Sequence, residues 1–232
     1  MKTIKVFQGT VACRVASDDV VPSPAPPMQD VISAIQSRYQ FAAPAEPFGV
    51  QFVPGQALSQ YAFQSGKFEI NGEAHAIAQL IMEPNGDVIT STSTDVANLI
   101  MDDLTHFLDE TFKYKFRESS QKRSFVSTVI VQFDNRLEEK ISALSAIIKI
   151  VNQAKNSKDE EFSLNKLAFS TGPRPPAVAM PFQSHLNIIE KAEYLIERRA
   201  SAAFSENRYF CSAPLHTADH IKTLEDIEKI LS

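Results

Sequence analysis

The clearest pattern along the chain is an apolar-rich run, residues 73–83, held between two Asn-Gly dipeptides, Asn71-Gly72 and Asn85-Gly86. Asn-Gly is a preferred centre for a two-residue type I′ hairpin turn, because both central residues there need φ > 0. Two such turns a strand apart predict a three-stranded antiparallel meander over about 65–92, with strands at 65–70, 73–83 and 87–92. A turn at Asn71-Gly72 sets Ile70 against Glu73 and Phe68 against His75. A turn at Asn85-Gly86 sets Glu83 against Val88 and Met82 against Ile89. That register puts Phe68, Ile70, Ile77, Ile81 and Val88 on one face, and Ala74, Ala76, Ala78, Leu80, Met82 and Ile89 on the other. A sheet with one wet face alternates apolar and polar residues. This one is apolar on both faces, so each needs a cover: helices of this chain on one side, and more helix or a second subunit on the other.

Ahead of the meander, 3–16 reads as a strand or bent strand pair with Gly9 marking a bulge. Residues 22–27 are a proline-rich connector, whose PxxP spacing has no basic neighbour to make it a docking peptide. A helix over 28–39 carries Val31, Ile32 and Ile35 on one face, and a short strand at 50–53 precedes the meander. After it, Thr94 or Asp95 caps a helix to about residue 115, with Val96, Ile100, Leu104, Phe107, Leu108 and Thr111 inward. Residues 124–133 form a strand. Asn135 and Glu138 have capping-box spacing, opening a helix with Leu137, Ile141, Leu144, Ile148 and Val151 at alternating four- and three-residue steps. A seam of about two heptads is short for a coiled coil and reads first as a face packed on its own sheet. A strand at 162–170, a second connector at 173–176, a long helix over 184–204, a short strand at 208–212 and a terminal helix capped by Thr223 complete the chain. Strands and helices are mixed without regular βαβ alternation, which predicts an α+β fold. There is no repeat of fixed period, and the 232 residues are expected to form a single domain, 1–232.

Composition narrows the functional classes. A net charge of −5 argues against a nucleic-acid partner. The cationic cluster Lys113, Lys115, Arg117, Lys122 and Arg123 reads as a solvated helix end. Two cysteines, Cys13 and Cys211, make no disulfide framework and suggest the reducing cytoplasm. The first residues lack the apolar stretch of a signal peptide, and no apolar run approaches the roughly 18–20 residues of a membrane span.

Three clusters have side chains suited to chemistry. Cys211, His216 and His220 form a thiol and two imidazoles, the histidines four residues apart, a donor set zinc accepts. Pro214 and a cap at Thr223 would leave those histidines in a loop, and the simpler reading is two surface histidines and a buried thiol. Asp102, Asp103, His106 and Glu110 include the i, i+3 spacing of di-iron helices, but no second helix repeats it, so they read as a solvated acidic face. His75 stands alone in its strand, with Glu73 two residues away. Phosphate-binding glycine loops, HExxH and GxSxG are absent from the sequence. The expectation is a non-catalytic cytoplasmic interaction or assembly protein without a cofactor, whose partner is a protein or a second copy of itself. The alternative is a metal-binding protein or metal-dependent enzyme using Cys211, His216 and His220. A small-ligand carrier with a Phe-lined pocket is a third reading, resting on 16 Phe.

Overall fold

The computed structural model describes residues 1–53, 56–70, 72–116, 119–153, 163–170, 184–190, 192–199, 202 and 206–231. Its strands are β1 (Lys2–Arg14), β2 (Glu46–Val53), β3 (Gln56–Ile70), β4 (Glu73–Glu83), β5 (Gly86–Ser91), β6 (Lys122–Gln132), β7 (Lys166–Phe169), β8 (Tyr194–Arg198) and β9 (Arg208–Ala213). Its helices are α1 (Ser17–Val20), α2 (Met28–Arg38), α3 (Thr94–Phe112), α4 (Leu137–Lys140), α5 (Ser142–Gln153), α6 (His185–Glu190) and α7 (Thr217–Leu231). The fold is α+β: the strands make one antiparallel sheet in the order β2-β3-β4-β5-β1-β6-β9-β8-β7.

The meander is present as β3-β4-β5, and its first hairpin has the expected register, Ile70 against Glu73 and Phe68 against His75. Asn71 lies outside the described residues; Gly72 takes φ +83°. The second hairpin differs. Glu83 pairs with Gly86, so Pro84 and Asn85 form the turn, and Val88 faces Ile81 instead of Glu83. Gly86 is drawn into the ladder at φ +140°, where a Cβ would lie 2.0 Å from the carbonyl oxygen of Cys13. Val88 has moved two residues along β4, and because side chains alternate with period two, it keeps its face.

The expected faces change at one point. Ile77 packs in the main core with Leu80, Met82 and Ile89, not with Ile81 and Val88. The pairing with β5 slips between Ile77 and Gln79, and the facing strand bends at Ser65, which has φ +56°. An extra residue in a ladder turns the following side chains over. Both faces near the second hairpin are covered by the chain itself. Helices α2 and α3 cover Leu80, Met82 and Ile89, while Leu186 and Ile189 of α6 cover Ala12, Ile81 and Val88. Ala74 and Ala76 are exposed.

Helix boundaries follow local chemistry. Ser93, not Thr94, caps α3, accepting a hydrogen bond from the Val96 amide at 3.3 Å. The inward face of α3 is rotated from the expected one: Ala97, Ile100, Met101, Leu104 and Leu108 are buried, and Val96 and Phe107 lie at its margin. The expected helix over 135–151 is two, α4 and α5, separated at Ile141. Arg136 stands at the α4 N-cap with no side-chain cap bond. The long helix expected over 184–204 is short α6 followed by strand β8. Tyr194 and Ile196 lie against the second core, so residues whose spacing also suited a helix pair instead with β9 and β7. The terminal helix starts at Thr217, six residues before the expected cap. The 173–176 connector lies outside the described residues.

A repeat that the sequence does not announce organises the sheet. Leaving β2 aside, the strand order is a palindrome. The ribbon β3-β4-β5 followed by α3 lies on one side of β1, and β7-β8-β9 followed by α7 lies on the outer side of β6. β1 and β6 pair with each other at the centre. Gly9 pairs with Ser91, the last residue of β5, and with Ser127, which itself pairs with Ala213, the last residue of β9. From there the halves correspond row by row. Val11, Ile89, Leu80 and Phe63 form one row, and Val129, Cys211, Ile196 and Leu167 form its counterpart. The pairing thus has an approximate two-fold passing between Gly9 and Ser127.

The two long helices meet at that axis. Thr94 and Thr217, each the first residue of its helix, hydrogen-bond reciprocally. The Thr94 amide donates to Thr217 Oγ1 at 3.1 Å, the Thr217 amide donates to Thr94 Oγ1 at 2.7 Å, and the hydroxyls are 3.0 Å apart. Each side chain satisfies an amide that the other helix leaves without an intrahelical partner. Gly9 admits this contact, since a Cβ there would lie 1.9 Å from the Thr94 nitrogen.

Candidate functional site

The three sequence clusters have separate fates. Cys211 is a buried, free thiol on β9, its pKa pushed up to about 12 by burial. His216 stacks on Phe125, ring centroids 3.8 Å apart, just ahead of α7. His220 is within α7, not in a loop, and is fully buried edge-on to Tyr194 at 5.5 Å. Burial holds its pKa down to about 4, so it is neutral. Among the described residues the Ser127 backbone approaches the His220 ring, but neither ring nitrogen has a hydrogen bond of ordinary geometry, and nor do Ser127 Oγ and Tyr194 Oη. Among the described residues no group of three or more His, Cys, Asp or Glu side chains is arranged to hold a metal ion.

The acidic face of α3 is only partly solvated. Asp103 receives two hydrogen bonds from the Arg38 guanidinium, at 2.8 and 2.5 Å, and one from Tyr39 Oη at 2.7 Å. These tie α3 to α2. Asp102 pairs with Arg123 of β6 at 2.6 Å. His106 and Glu110 form the expected i, i+4 pair, 3.1 Å apart. Asp102 and Asp103 therefore pin the helix layer to its neighbours. His75 is half-buried opposite Phe68.

Two features depart from the sequence reading: a helix whose apolar seam reads as a face packed on its own sheet but is exposed, and a cavity that no motif marks. The first is α5. Its sequence, SALSAIIKIVNQ, has one charged residue, Lys149, yet no described side chain in it is buried. Ile147, Ile150 and Val151 are 55, 65 and 40 % exposed. Its principal packing partner among the described elements is α4. In the two-fold arrangement α5 is the counterpart of α2, the helix after the central strand of the other half. Helix α2 buries Val31, Ile32 and Ile35 in the main core, beside Phe63 of β3. Strands β3 and β4 are 15 and 11 residues long, whereas β7 and β8 are 4 and 5. Among the described residues the second half has no comparably long hairpin for its helix to lie on.

The second feature is a cavity of about 300 Å³ between the β4–β5 turn, α1 and the end of α3. Its lining includes Val20, Tyr61, Met82, Leu108, Tyr114 and Phe116, and two carboxylic acids whose side chains have little access to water, Glu83 and Asp87. Asp87 is 5 % exposed. Its ladder partners Met82 and Cys13 fix it on the helix-covered face. Burial, helped by the negative charge of Glu83, pushes its pKa up to about 7. Glu83 has its own donors: the Ser184 hydroxyl, the His185 amide at 2.7 Å and the His185 ring. In the sequence Asp87 reads as the first residue of a strand after an Asn-Gly turn, a position that gives no sign of a pocket.

Comparison with known proteins adds no relative: no family model, no curated protein and no solved structure matches the chain.

Proposed function

We propose that the protein is a non-catalytic interaction module of the cytoplasm that self-associates through α5. The observation that carries this reading is an apolar, almost uncharged helix on which Ile147 and Ile150 face water. A folded chain rarely leaves such a surface open without a partner. A second copy suits it best. Two α5 helices related by a two-fold would place apolar residues against apolar residues, with only Lys149 to keep at the rim, and isologous pairing needs that self-complementarity. The counterpart helix α2 supports the same reading, since it buries the equivalent stripe wherever a surface is provided. The buried thiols of Cys13 and Cys211 suit a reducing compartment.

Sedimentation equilibrium tests this. The protein is expected to be dimeric at micromolar concentration. The double variant Ile147→Asp, Ile150→Asp is expected to be a folded monomer, because neither side chain belongs to the core. A wild-type monomer at about 50 μM, well above the micromolar range of moderate interfaces, would refute self-association. An unchanged dimer in the variant would place the interface elsewhere.

A further inference from the structure

The Asp87 cavity is a site without a counter-charge. Among the described residues its lining contains no Lys, Arg or His, and no hydrogen bond or ion pair reaches the Asp87 carboxyl. The titratable groups around it are Glu83 on β4, Cys13 on β1, Tyr61 on β3 and Tyr114 beyond α3, none of them cationic; Arg123 of β6 reaches Cys13 but is paired with Asp102 at 2.6 Å. α1 contributes Val20, and α2 contributes Met28. Leu108 brings the C-terminal end of α3 to the wall, where the partial charge of the helix is negative.

A buried carboxylate without a partner is strongly unfavourable, and a leucine or asparagine would fill the same space at less cost. A bound cation reverses that sign, because an ion pair in a low-dielectric cavity is far stronger than one in water. The walls suit the rest of such a ligand. Tyr61, Tyr114 and Phe116 offer aromatic rings, which attract ammonium groups and apolar bodies alike. Tyr114 and Phe116 are stacked, 5.8 Å between centroids and 9° between planes, and present a flat surface. Anions are excluded by Asp87, Glu83 and the helix end together.

We propose that this cavity binds a small organic ammonium ion, its charge paired with Asp87 and its apolar body held by Met82, Leu108 and the rings of Tyr61, Tyr114 and Phe116. Binding of the cation favours the ionised carboxyl, so below neutrality complex formation expels a proton from Asp87. The site is independent of α5 and of self-association.

Calorimetric titration with 2-phenylethylamine, 2-phenylethanol and phenylacetate tests the assignment. At pH 8 the amine is expected to bind about tenfold or more tighter than the alcohol, the margin of a charge-assisted contact, and phenylacetate is expected not to bind. Lowering the pH to 6 is expected to weaken the amine about tenfold, as Asp87 becomes protonated, and to leave the alcohol unchanged. Asp87→Asn is expected to erase the preference for the amine while keeping the alcohol. Met28→Trp, which fills the cavity from its rim, is expected to abolish both. No amine binding at millimolar concentration, equal affinity for amine and alcohol, or a preference that survives Asp87→Asn or Met28→Trp would overturn the proposal.

Discussion

Two buried titratable residues, Asp87 and His220, act on stability with opposite sign. Asp87 has a folded pKa near 7 against 3.8 for an aspartate in water, so between those values the folded state holds a proton that the unfolded state has lost. Its contribution therefore weakens as pH rises from about 4 to 7, by about 4 kcal/mol at most. His220 has a folded pKa near 4 against 6.5 for a histidine in water, so in that interval the unfolded state binds the extra proton. Its contribution strengthens as pH rises through 4 to 6.5, by about 3 kcal/mol at most. The two slopes oppose each other over pH 4–6.5. Relative to wild type, Asp87→Asn is expected to gain most stability at pH 8 and little near pH 4. His220→Leu is expected to gain most at pH 4–5 and least above pH 7. Urea unfolding of the three proteins across that range checks both signs; parallel curves would exclude either residue as a buried titrating group. The sequence could not disclose this. Asp87 looks like the first residue of a strand beside a turn, and His220 looks like half of a metal pair, until tertiary packing removes water from each.

At the scale of elements, sequence reading succeeded where local rules and tertiary packing agree. The meander, α2, β6 and β9 appear near their expected places because alternation and helical spacing coincide there with available surface. It failed where one pattern suited two structures. Leu186, Ile189, Leu195 and Ile196 fit a helical stripe, but Tyr194–Arg198 is strand β8, because β9 offers an open edge to pair with. The α3 N-terminus takes its cap from Ser93, one residue ahead of the expected Thr94 or Asp95. Ser93 bonds the Val96 amide, while Thr94 is committed to Thr217. Ser93→Ala is expected to cost about 1 kcal/mol, the usual value of an N-cap, measured by urea denaturation. Thr94→Val is expected to cost more, because it strands the Thr217 amide in the interior and removes the hydroxyl contact between the two threonines.

For the whole molecule, the β1–β6 seam joins two halves of matching connectivity, and the threonine pair closes it above the sheet. A double-mutant cycle of Thr94→Val and Thr217→Val is expected to show coupling of about 1 kcal/mol or more, as for groups sharing one hydrogen-bond network. Additive losses would mean that the pair does not join the halves. Hydrogen exchange is expected to be slowest in β1 and β6, which are flanked by strands on both sides, and fastest at the edge strand β7. The amino-acid sequence by itself determined the α+β class, the first hairpin register and the apolar stripe of α2, because these depend on turn chemistry and periodicity within short segments. It carried only traces of the two-fold: Thr10-Val11 against Thr128-Val129, and Met101-Asp102-Asp103-Leu104 against Leu224-Glu225-Asp226-Ile227. Tertiary structure decided the rest. Strand order, the meeting of Thr94 with Thr217, the unpartnered charge of Asp87 and the uncovered face of α5 all depend on which distant segments share a surface, and that is settled only when long-range pairing decides where water is excluded.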